Sequence, residues 1–137
     1  MVYKKLSPNL VVEDVNKAVD FYRDILKFEL HMSVPETGDL KWAAMKRDHV
    51  EIMLQARDSA SRAIPLMENK EAGGSVTLYI EMENVVELYD AIKEKVVLIE
   101  DLHTKPYGMR EFSIQDNNGF ILTFAEEVEE TLQESKE

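Results

Sequence analysis

Two glutamates stand out as residues that could recognise a ligand. Glu51 lies in the run VEIMLQ and Glu111 in the run REFSIQ, and in both runs polar and apolar residues alternate. Because successive side chains of a strand point to opposite faces, each glutamate is predicted to lie on the face turned away from the apolar core, with no lysine beside it. Two carboxylates in a partly dry cleft favour a bound cation and repel an anion, which predicts a cationic small molecule as the ligand.

Two aromatic residues are candidates for the same ligand. Trp42 is the only tryptophan and lies in the alternating run LKWAAMK, while Tyr107 immediately precedes a glycine. The face of an aromatic ring attracts a cation by about 0.5–2 kcal/mol, depending on how dry the contact is. A ligand contact and a rim or core position are equally good interpretations of Trp42, and Tyr107 is expected to behave in the same way.

Residues that hold catalytic metals or act as nucleophiles are scarce. The chain has no cysteine, and its three histidines are His31 in a predicted strand, His49 in a hairpin turn and His103 in a loop. His49 and Glu51 share a face of an extended strand and are the one local pair to weigh as metal ligands, although a turn histidine is more often simply solvated. We therefore predict no catalytic residue, no metal site and no cofactor.

The charge of the chain argues against two classes of partner. The 137 residues carry a net charge of −11, and the stretch 126–137 contributes six acids and one lysine to it. Such a surface repels nucleic-acid phosphates and anionic lipids, so neither a nucleic acid nor a membrane is expected as a partner. No apolar run approaches the roughly 18 residues of a membrane span, and the first residues lack the features of a signal peptide. The lack of cysteine fits a reducing cytoplasm.

The order of the predicted elements repeats along the chain. The first helix has apolar residues at helical spacing from Val15 to Leu26 and an N-cap candidate in Asp14. The turn DNNG, 116–119, joins the last two strands. Each half reads as strand, helix and three strands: 6–12, 13–28, 28–34, 40–46 and 50–55, then 75–81, 84–95, 96–102, 111–115 and 120–126.

This repeat predicts an α+β fold of two βαβββ modules with curved mixed sheets and a shared cleft. The modules are placed at 1–58 and 72–127, with a polar linker at 59–71 and an acidic tail at 128–137. A helical turn is expected in the linker near 64–68. Since one helix covers only one face of a four-stranded sheet, two such sheets are expected to curl around an open cleft.

Strand alternation predicts which side chains line that cleft. Four strands converge on a polar face, although for any single residue solvation without a ligand is the simpler interpretation. The lining residues are predicted to be Ser7, Asn9, Val11, Glu51, Met53, Gln55, Ser75, Thr77, Tyr79, Glu111, Ser113 and Thr123. The candidate ligand-binding residues are Glu51, Glu111, Trp42, Tyr107, Ser75, Thr123 and Asn9.

Two stretches resemble a known family. LVVEDVNKAVDFYRDILKFEL, 10–30, is similar to the opening of a module of the vicinal oxygen chelate superfamily, which includes glyoxalases, dioxygenases and bleomycin-resistance proteins. GMREFSIQDNNGFILTF, 108–124, resembles the closing hairpin, most closely that of the bleomycin-resistance type. The resemblance implies paired βαβββ modules and a homodimer. It also implies four metal-ligand positions, at Ser7, Glu51, Ser75 and Thr123, of which only Glu51 carries a normal ligand.

The function predicted from these observations is that of a small-molecule binding protein. It would sequester a cationic ligand or antibiotic without a metal, as a homodimer with Met45, Met53 and Tyr79 as candidates for the subunit contact. Two alternatives stay open, a metal-dependent lyase, isomerase or dioxygenase of the glyoxalase type and a metabolite-binding regulatory module.

Overall fold

The computed structural model of the protein describes residues 1–128. The predicted acidic tail, 128–137, lies outside the described residues except for its first residue. The chain divides into two compact units, Met1–Gly74 and a second unit that begins at Ser75. No helix within residues 1–128 is long and apolar enough to cross a membrane.

The first unit contains one four-stranded sheet in the order β1-β4-β3-β2. β1 and β4 run parallel, and the other neighbours are antiparallel. The sheet is mixed because the first helix carries the chain from β1 across the sheet before the remaining strands return as a meander. The elements are β1 Asn9–Val12, α1 Val15–Asp20, β2 Glu29–Val34, β3 Trp42–Arg47, β4 Val50–Ala56 and α2 Arg57–Ala63.

The second unit repeats this topology with the order β5-β8-β7-β6 and a parallel β5–β8 pair. The prediction of an α+β protein with two βαβββ modules is therefore confirmed. The elements are β5 Thr77–Glu81, α3 Val85–Ile92, β6 Val97–Thr104, β7 Met109–Gln115 and β8 Ile121–Glu127.

The first helix begins and continues as its sequence predicts. The Asp14 carboxylate accepts a hydrogen bond from the backbone N–H of Lys17 at 3.0 Å and caps α1. After Asp20 the helix continues through one π-helical stretch, Phe21–Ile25. The extra residue per turn in that stretch still leaves Tyr22 and Leu26 buried against the sheet.

Strand alternation separates an apolar face from a polar face in each sheet, as predicted. In the second unit the apolar face carries Phe112, Ile114, Leu122 and Phe124, all buried, and the rings of Phe112 and Phe124 lie 5.3 Å apart. In the first unit the buried Ile52 and Leu54 alternate with the half-buried Glu51, Met53 and Gln55.

One residue expected at a subunit contact belongs to the core instead. Met45 is 0% exposed and pairs with Ile52 across β3 and β4, on the apolar face of the sheet. Because Ala44 and Lys46 occupy the opposite face, the alternation itself directs Met45 inward. Met53 and Tyr79 keep exposed surface. The homodimer stays a prediction.

The turn DNNG is organised by its first residue. The Asp116 side chain accepts hydrogen bonds from the backbone N–H groups of Asn118 and Phe120, at 2.8 and 2.9 Å. Gly119 has a φ of 90°, a conformation that glycine adopts without steric cost. The turn therefore fixes the register in which β7 meets β8, and with it the positions of the polar side chains on both strands.

The predicted linker contains a helix that the sequence analysis missed. α2 covers Arg57–Ala63, so the first five residues of the segment 59–71 are helical, whereas the short 3₁₀ turn Pro65–Met67 agrees with the helical turn expected near 64–68. The segment RDSASRA has high helix propensity from alanine and arginine but only one buried residue, Ala60. A helix with so narrow an apolar face gives almost no periodic signal.

The second helix of the repeat is capped by a residue distant in sequence. Asn84, at the N-cap of α3, is left-handed and makes no side-chain cap hydrogen bond. The Glu126 carboxylate on β8 instead accepts from the backbone N–H of Asn84 at 2.8 Å and of Val85 at 3.1 Å. A carboxylate at this helix end satisfies two free N–H groups and opposes the positive end of the helix dipole.

We expect Glu126→Ala to lower the free energy of unfolding by about 1 kcal/mol, because both N–H groups lose their acceptor. Hydrogen exchange at the Asn84 and Val85 amides should become faster. Glu127→Ala, which removes the adjacent exposed carboxylate, is the matched control and should change neither quantity. Equal effects of the two substitutions would contradict the capping role.

Candidate functional site

In the first unit the polar face is built around Glu51 on β4. One oxygen of its carboxylate, Oε1, accepts from the Lys5 ammonium at 2.7 Å and from the Ser7 hydroxyl at 2.8 Å. The Lys46 ammonium lies 3.9 Å from the other oxygen, Oε2. The expectation that no lysine lies beside this glutamate is therefore wrong. Lys46 pairs with Glu51 across the β3–β4 hairpin, and Lys5 precedes β1, which runs parallel to β4.

Two other predicted site residues of this unit lie along the same face. The Asn9 amide donates to the Gln55 side chain at 2.8 Å, and the Gln55 amide donates in turn to the Ser59 hydroxyl at 3.0 Å. Trp42 pairs with Gln55 across β3 and β4 and is half-buried on this face. Asn9, Glu51 and Trp42 thus share one polar sheet face, on which the Asn9 amide and the Glu51 carboxylate already have side-chain partners.

In the second unit the polar face contains a carboxylate held by two phenols. Glu111 on β7 is 4% exposed. The Tyr79 hydroxyl donates to its Oε2 at 2.8 Å, and the Tyr107 hydroxyl donates to its Oε1 at 3.0 Å. We call these three residues the Tyr-Glu-Tyr cluster. Each oxygen of the carboxylate therefore has a neutral hydrogen-bond donor.

A tight turn brings Tyr107 into this cluster. The Gly108 N–H donates to the Lys105 carbonyl at 3.0 Å, and Gly108 has a φ of 84°, so residues 105–108 form a hairpin turn with Pro106 at its second position. Tyr107 occupies the tip, and its hydroxyl reaches back to Glu111, four residues further on. Tyr79 approaches from β5, which is separated from β7 by β8.

Both phenols are weak acids in this setting. Partial desolvation, followed by the hydrogen bond to the Glu111 carboxylate, raises the pKa of Tyr79 to about 12. The same two causes, in the same order, raise the pKa of Tyr107. Both hydroxyls therefore keep their hydrogens at neutral pH.

Two further predicted site residues are not brought together. Ser75 lies in an exposed turn before β5, whereas Thr123 pairs with Tyr79 across the β5–β8 ladder. The Thr123 hydroxyl is bonded to the Ser113 hydroxyl at 2.7 Å. The residue of β5 that pairs with Thr123 is Tyr79, and Ser75 lies outside the parallel ladder that joins β5 to β8.

These residues do not fit a catalytic divalent metal. The described part of the chain, residues 1–128, contains no group of three or more His, Cys, Asp or Glu side chains placed to hold an ion. At the metal positions implied by the family resemblance, the single carboxylate is that of Glu51, which accepts hydrogen bonds from the Lys5 ammonium and the Ser7 hydroxyl. An ammonium occupies the side of the carboxylate that a cation would need, and serine and threonine hydroxyls are poor ligands for transition metals.

A separate groove of about 650 Å³ opens in the first unit near the start of α1 and α2. Its cationic side chains are already paired with acids. The Arg57 guanidinium lies 2.6 Å from the Glu13 carboxylate, and Lys41 and Arg62 lie 3.7 and 3.8 Å from Asp58. The lining holds five acids and three bases, and because all three bases are paired with acids, the groove offers no unpaired cation to an anionic ligand.

The partners of both glutamates were not predicted from the sequence. Lys5 lies outside any strand, so alternation gives it no predicted face. Tyr79 was assigned to the polar face but not to the site, although its position opposite Thr123 places it two strands from Glu111. Only the register between strands could have paired Tyr79 with Glu111.

The hydrogen bond from Lys5, followed by that from Ser7, lowers the pKa of Glu51. We therefore expect Lys5→Met to raise that pKa toward the ordinary value of a glutamate, as measured by carboxyl NMR titration. The stability from this contact is present above the ordinary pKa and is lost as the pH falls through the lowered one, so the two proteins should become equally stable in acid. Lys4→Met is the control, and an unchanged pKa in Lys5→Met would contradict the contact.

The comparisons with known proteins agree with this architecture. A family model for the Glyoxalase/Bleomycin resistance protein/Dioxygenase superfamily matches residues 6–124. No curated protein matches the chain in sequence.

Several crystal structures are similar in fold. A glyoxalase/bleomycin resistance protein/dioxygenase from Nocardioides is 17% identical with a TM-score of 0.74, covering 94% of this chain and 87% of its own. TioX from Micromonospora sp. ML1 is 18% identical, with a TM-score of 0.70 and coverage of 92% and 100%. Lactoylglutathione lyase from Agrobacterium tumefaciens is 20% identical, with a TM-score of 0.70 and coverage of 92% and 95%. At such identities the likeness concerns the fold alone, whereas the family match spans most of the sequence, and the chain belongs to the Glyoxalase/Bleomycin resistance protein/Dioxygenase superfamily.

Proposed function

We propose that this protein binds and sequesters a cationic small molecule, such as an antibiotic, without using a metal. The observation that carries the proposal is the state of Glu111. This carboxylate is almost fully buried, is bonded by two neutral phenols, and within residues 1–128 takes part in no ion pair at 4.0 Å or less. A carboxylate so placed attracts a cation more strongly than an exposed one does.

The nearby lysine does not remove this attraction. Lys105 interacts electrostatically with Glu111, but its ammonium is hydrogen-bonded to the Glu100 carboxylate at 3.1 Å. The positive charge of Lys105 is therefore offset mainly by Glu100. The negative charge of Glu111 stays available to a ligand.

Glu51 supports the proposal less than Glu111 does. Its carboxylate faces two ammonium groups, those of Lys5 and Lys46, at 2.7 and 3.9 Å. A cationic ligand would have to displace Lys5 before it reached this carboxylate. We therefore assign the ligand to the Tyr-Glu-Tyr cluster rather than to Glu51, and treat Trp42 and Asn9 as secondary candidates.

The family supports small-molecule binding in general. Its name covers resistance proteins as well as enzymes, and one similar structure is a lactoylglutathione lyase. The donor set described above favours the resistance-type member, since a metal-dependent reaction lacks its ligands here. A homodimer remains part of the proposal on the strength of the resemblance.

We expect benzylammonium to bind more tightly than benzoate, which has the same ring and the opposite charge. Glu111→Gln should weaken the binding of benzylammonium about tenfold because it removes the buried charge, and added salt should also weaken it. NMR titration at low ionic strength measures both dissociation constants, with Glu127→Gln as the control for an exposed carboxylate. Binding of benzoate as tight as that of benzylammonium, or an unchanged affinity in Glu111→Gln, would overturn the proposal.

We also expect the protein purified without chelator to carry far less than one transition-metal ion per chain. Three of the four metal positions carry hydroxyl side chains, and the fourth is bonded to Lys5. Elemental analysis by mass spectrometry measures the content. About one nickel, zinc, iron or manganese ion per chain that disappears in Glu51→Ala would show that a metal site exists.

A further inference from the structure

We propose that Tyr79 and Tyr107 form the ligand-contacting surface of the Tyr-Glu-Tyr cluster, and that this surface selects cations carrying N–H groups, such as protonated amines and guanidinium groups, over quaternary ammonium ions. This inference rests on the proposed function and specifies its ligand class. It adds Tyr79 to the ligand-binding residues, among which it was not predicted from the sequence. It also gives Glu111 the role of a positioning residue, which orients the two tyrosine hydroxyls.

The direction of the hydrogen bonds determines what the cluster can accept. A phenol has one hydrogen to donate, and in both tyrosines it is directed to the Glu111 carboxylate, at 2.8 and 3.0 Å. An ionised carboxylate has no hydrogen to give back. Each phenol oxygen therefore meets a ligand with lone pairs only, and a ligand gains a hydrogen bond there only if it brings the hydrogen itself.

Exposure identifies the side chains that a ligand meets first. Tyr79 is 49% exposed and Tyr107 is 58% exposed, whereas Glu111 is 4% exposed beneath them. The carboxylate therefore acts through the phenols: it orients both hydroxyl hydrogens inward and polarises both oxygens, which makes them stronger acceptors. The two rings provide aromatic faces for the same cation.

These features together define a ligand class. A protonated amine brings a positive charge and N–H donors, so it can satisfy the phenol oxygens and the buried charge at once. A quaternary ammonium ion brings the charge but no N–H group, so it is held by the charge and the aromatic faces alone. An anion is repelled, and a neutral acceptor finds no donor.

The first test uses the unaltered protein and two cations with the same ring and the same charge. Benzylammonium has three N–H groups and benzyltrimethylammonium has none. We expect benzylammonium to bind about tenfold more tightly by NMR titration, the effect of one hydrogen bond of about 1.4 kcal/mol. Equal affinities, or tighter binding of the quaternary ion, would overturn the inference.

The second test removes the acceptor oxygens while keeping the rings. In the double variant Tyr79→Phe/Tyr107→Phe the ratio of the two affinities should fall to within about twofold, the limit at which less than 0.5 kcal/mol of preference remains. Tyr89→Phe is the matched control, because the Tyr89 hydroxyl donates to the Asp101 carboxylate elsewhere in the same unit. This variant should keep the full ratio. A full ratio in the double variant would mean that Glu111 contacts the ligand directly, which contradicts the inference.

The third variant, Glu111→Gln, changes the direction of the hydrogen bonds. Its amide N–H₂ group would donate to one phenol oxygen, so the hydrogen of that phenol would point outward and the cluster would no longer be acceptor-only. The preference for benzylammonium over benzyltrimethylammonium should fall with it, and an undiminished preference would count against the inference. If neither cation binds better than benzoate, the proposed function itself fails. If both do so equally, the function stands and only the N–H selection fails.

Discussion

A sheet with one covered face constrains everything else in this protein. Each unit has four strands and one βαβ crossover helix, so the helix buries one face and alternation sends every second side chain to the other. The buried apolar side chains of the strands, among them Ile52, Leu54, Phe112 and Phe124, lie on the side of the sheet that the helix covers. Polar side chains on the opposite face must then satisfy one another or a ligand, because unpaired polar groups in a partly dry environment are costly.

The two units meet this requirement in different ways. In the first unit Glu51 is balanced by ammonium groups, so its charge is largely neutralised within the chain. In the second unit the donors to Glu111 are phenols, which satisfy the hydrogen-bonding capacity of the carboxylate without cancelling its charge. The folded protein tolerates a buried carboxylate whose two oxygens both accept hydrogen bonds, even though no cation is paired with it. This difference turns two similar sheet faces into sites with different electrostatics.

Because these polar faces differ, the family match alone does not determine the chemistry of this chain. The superfamily shares a scaffold, and what each member does depends on which side chains occupy the polar face. Here Ser7 and Thr123 are hydrogen-bonded within the sheet, to Glu51 and Ser113, and neither contributes a carboxylate or an imidazole. The scaffold is retained, while Ser7 and Thr123 hydrogen-bond to side chains of their own units.

The sequence by itself determined the elements whose signals are local and periodic. These local signals are the apolar spacing of α1, its Asp14 cap, the alternation in β4, β7 and β8, and the DNNG turn. Together they predicted two βαβββ modules and the sheet face on which Glu51 and Glu111 lie. Helix α2 was not predicted, because a short segment whose one buried residue is an alanine has almost no hydrophobic periodicity.

Only the tertiary structure decided the partners of those residues. Glu51 and Lys5 are 46 residues apart in sequence, and Glu111 and Tyr79 are 32 residues apart. Glu126 lies 42 residues from Asn84, the N-cap residue of α3. Alternation assigns a side chain to a face, but the register between strands assigns its neighbour, and register depends on how turns and crossovers align strands that are distant in the chain. The charge of a site is the sum over such neighbours, which is why Glu51 is largely neutralised whereas Glu111 takes part in no ion pair within residues 1–128.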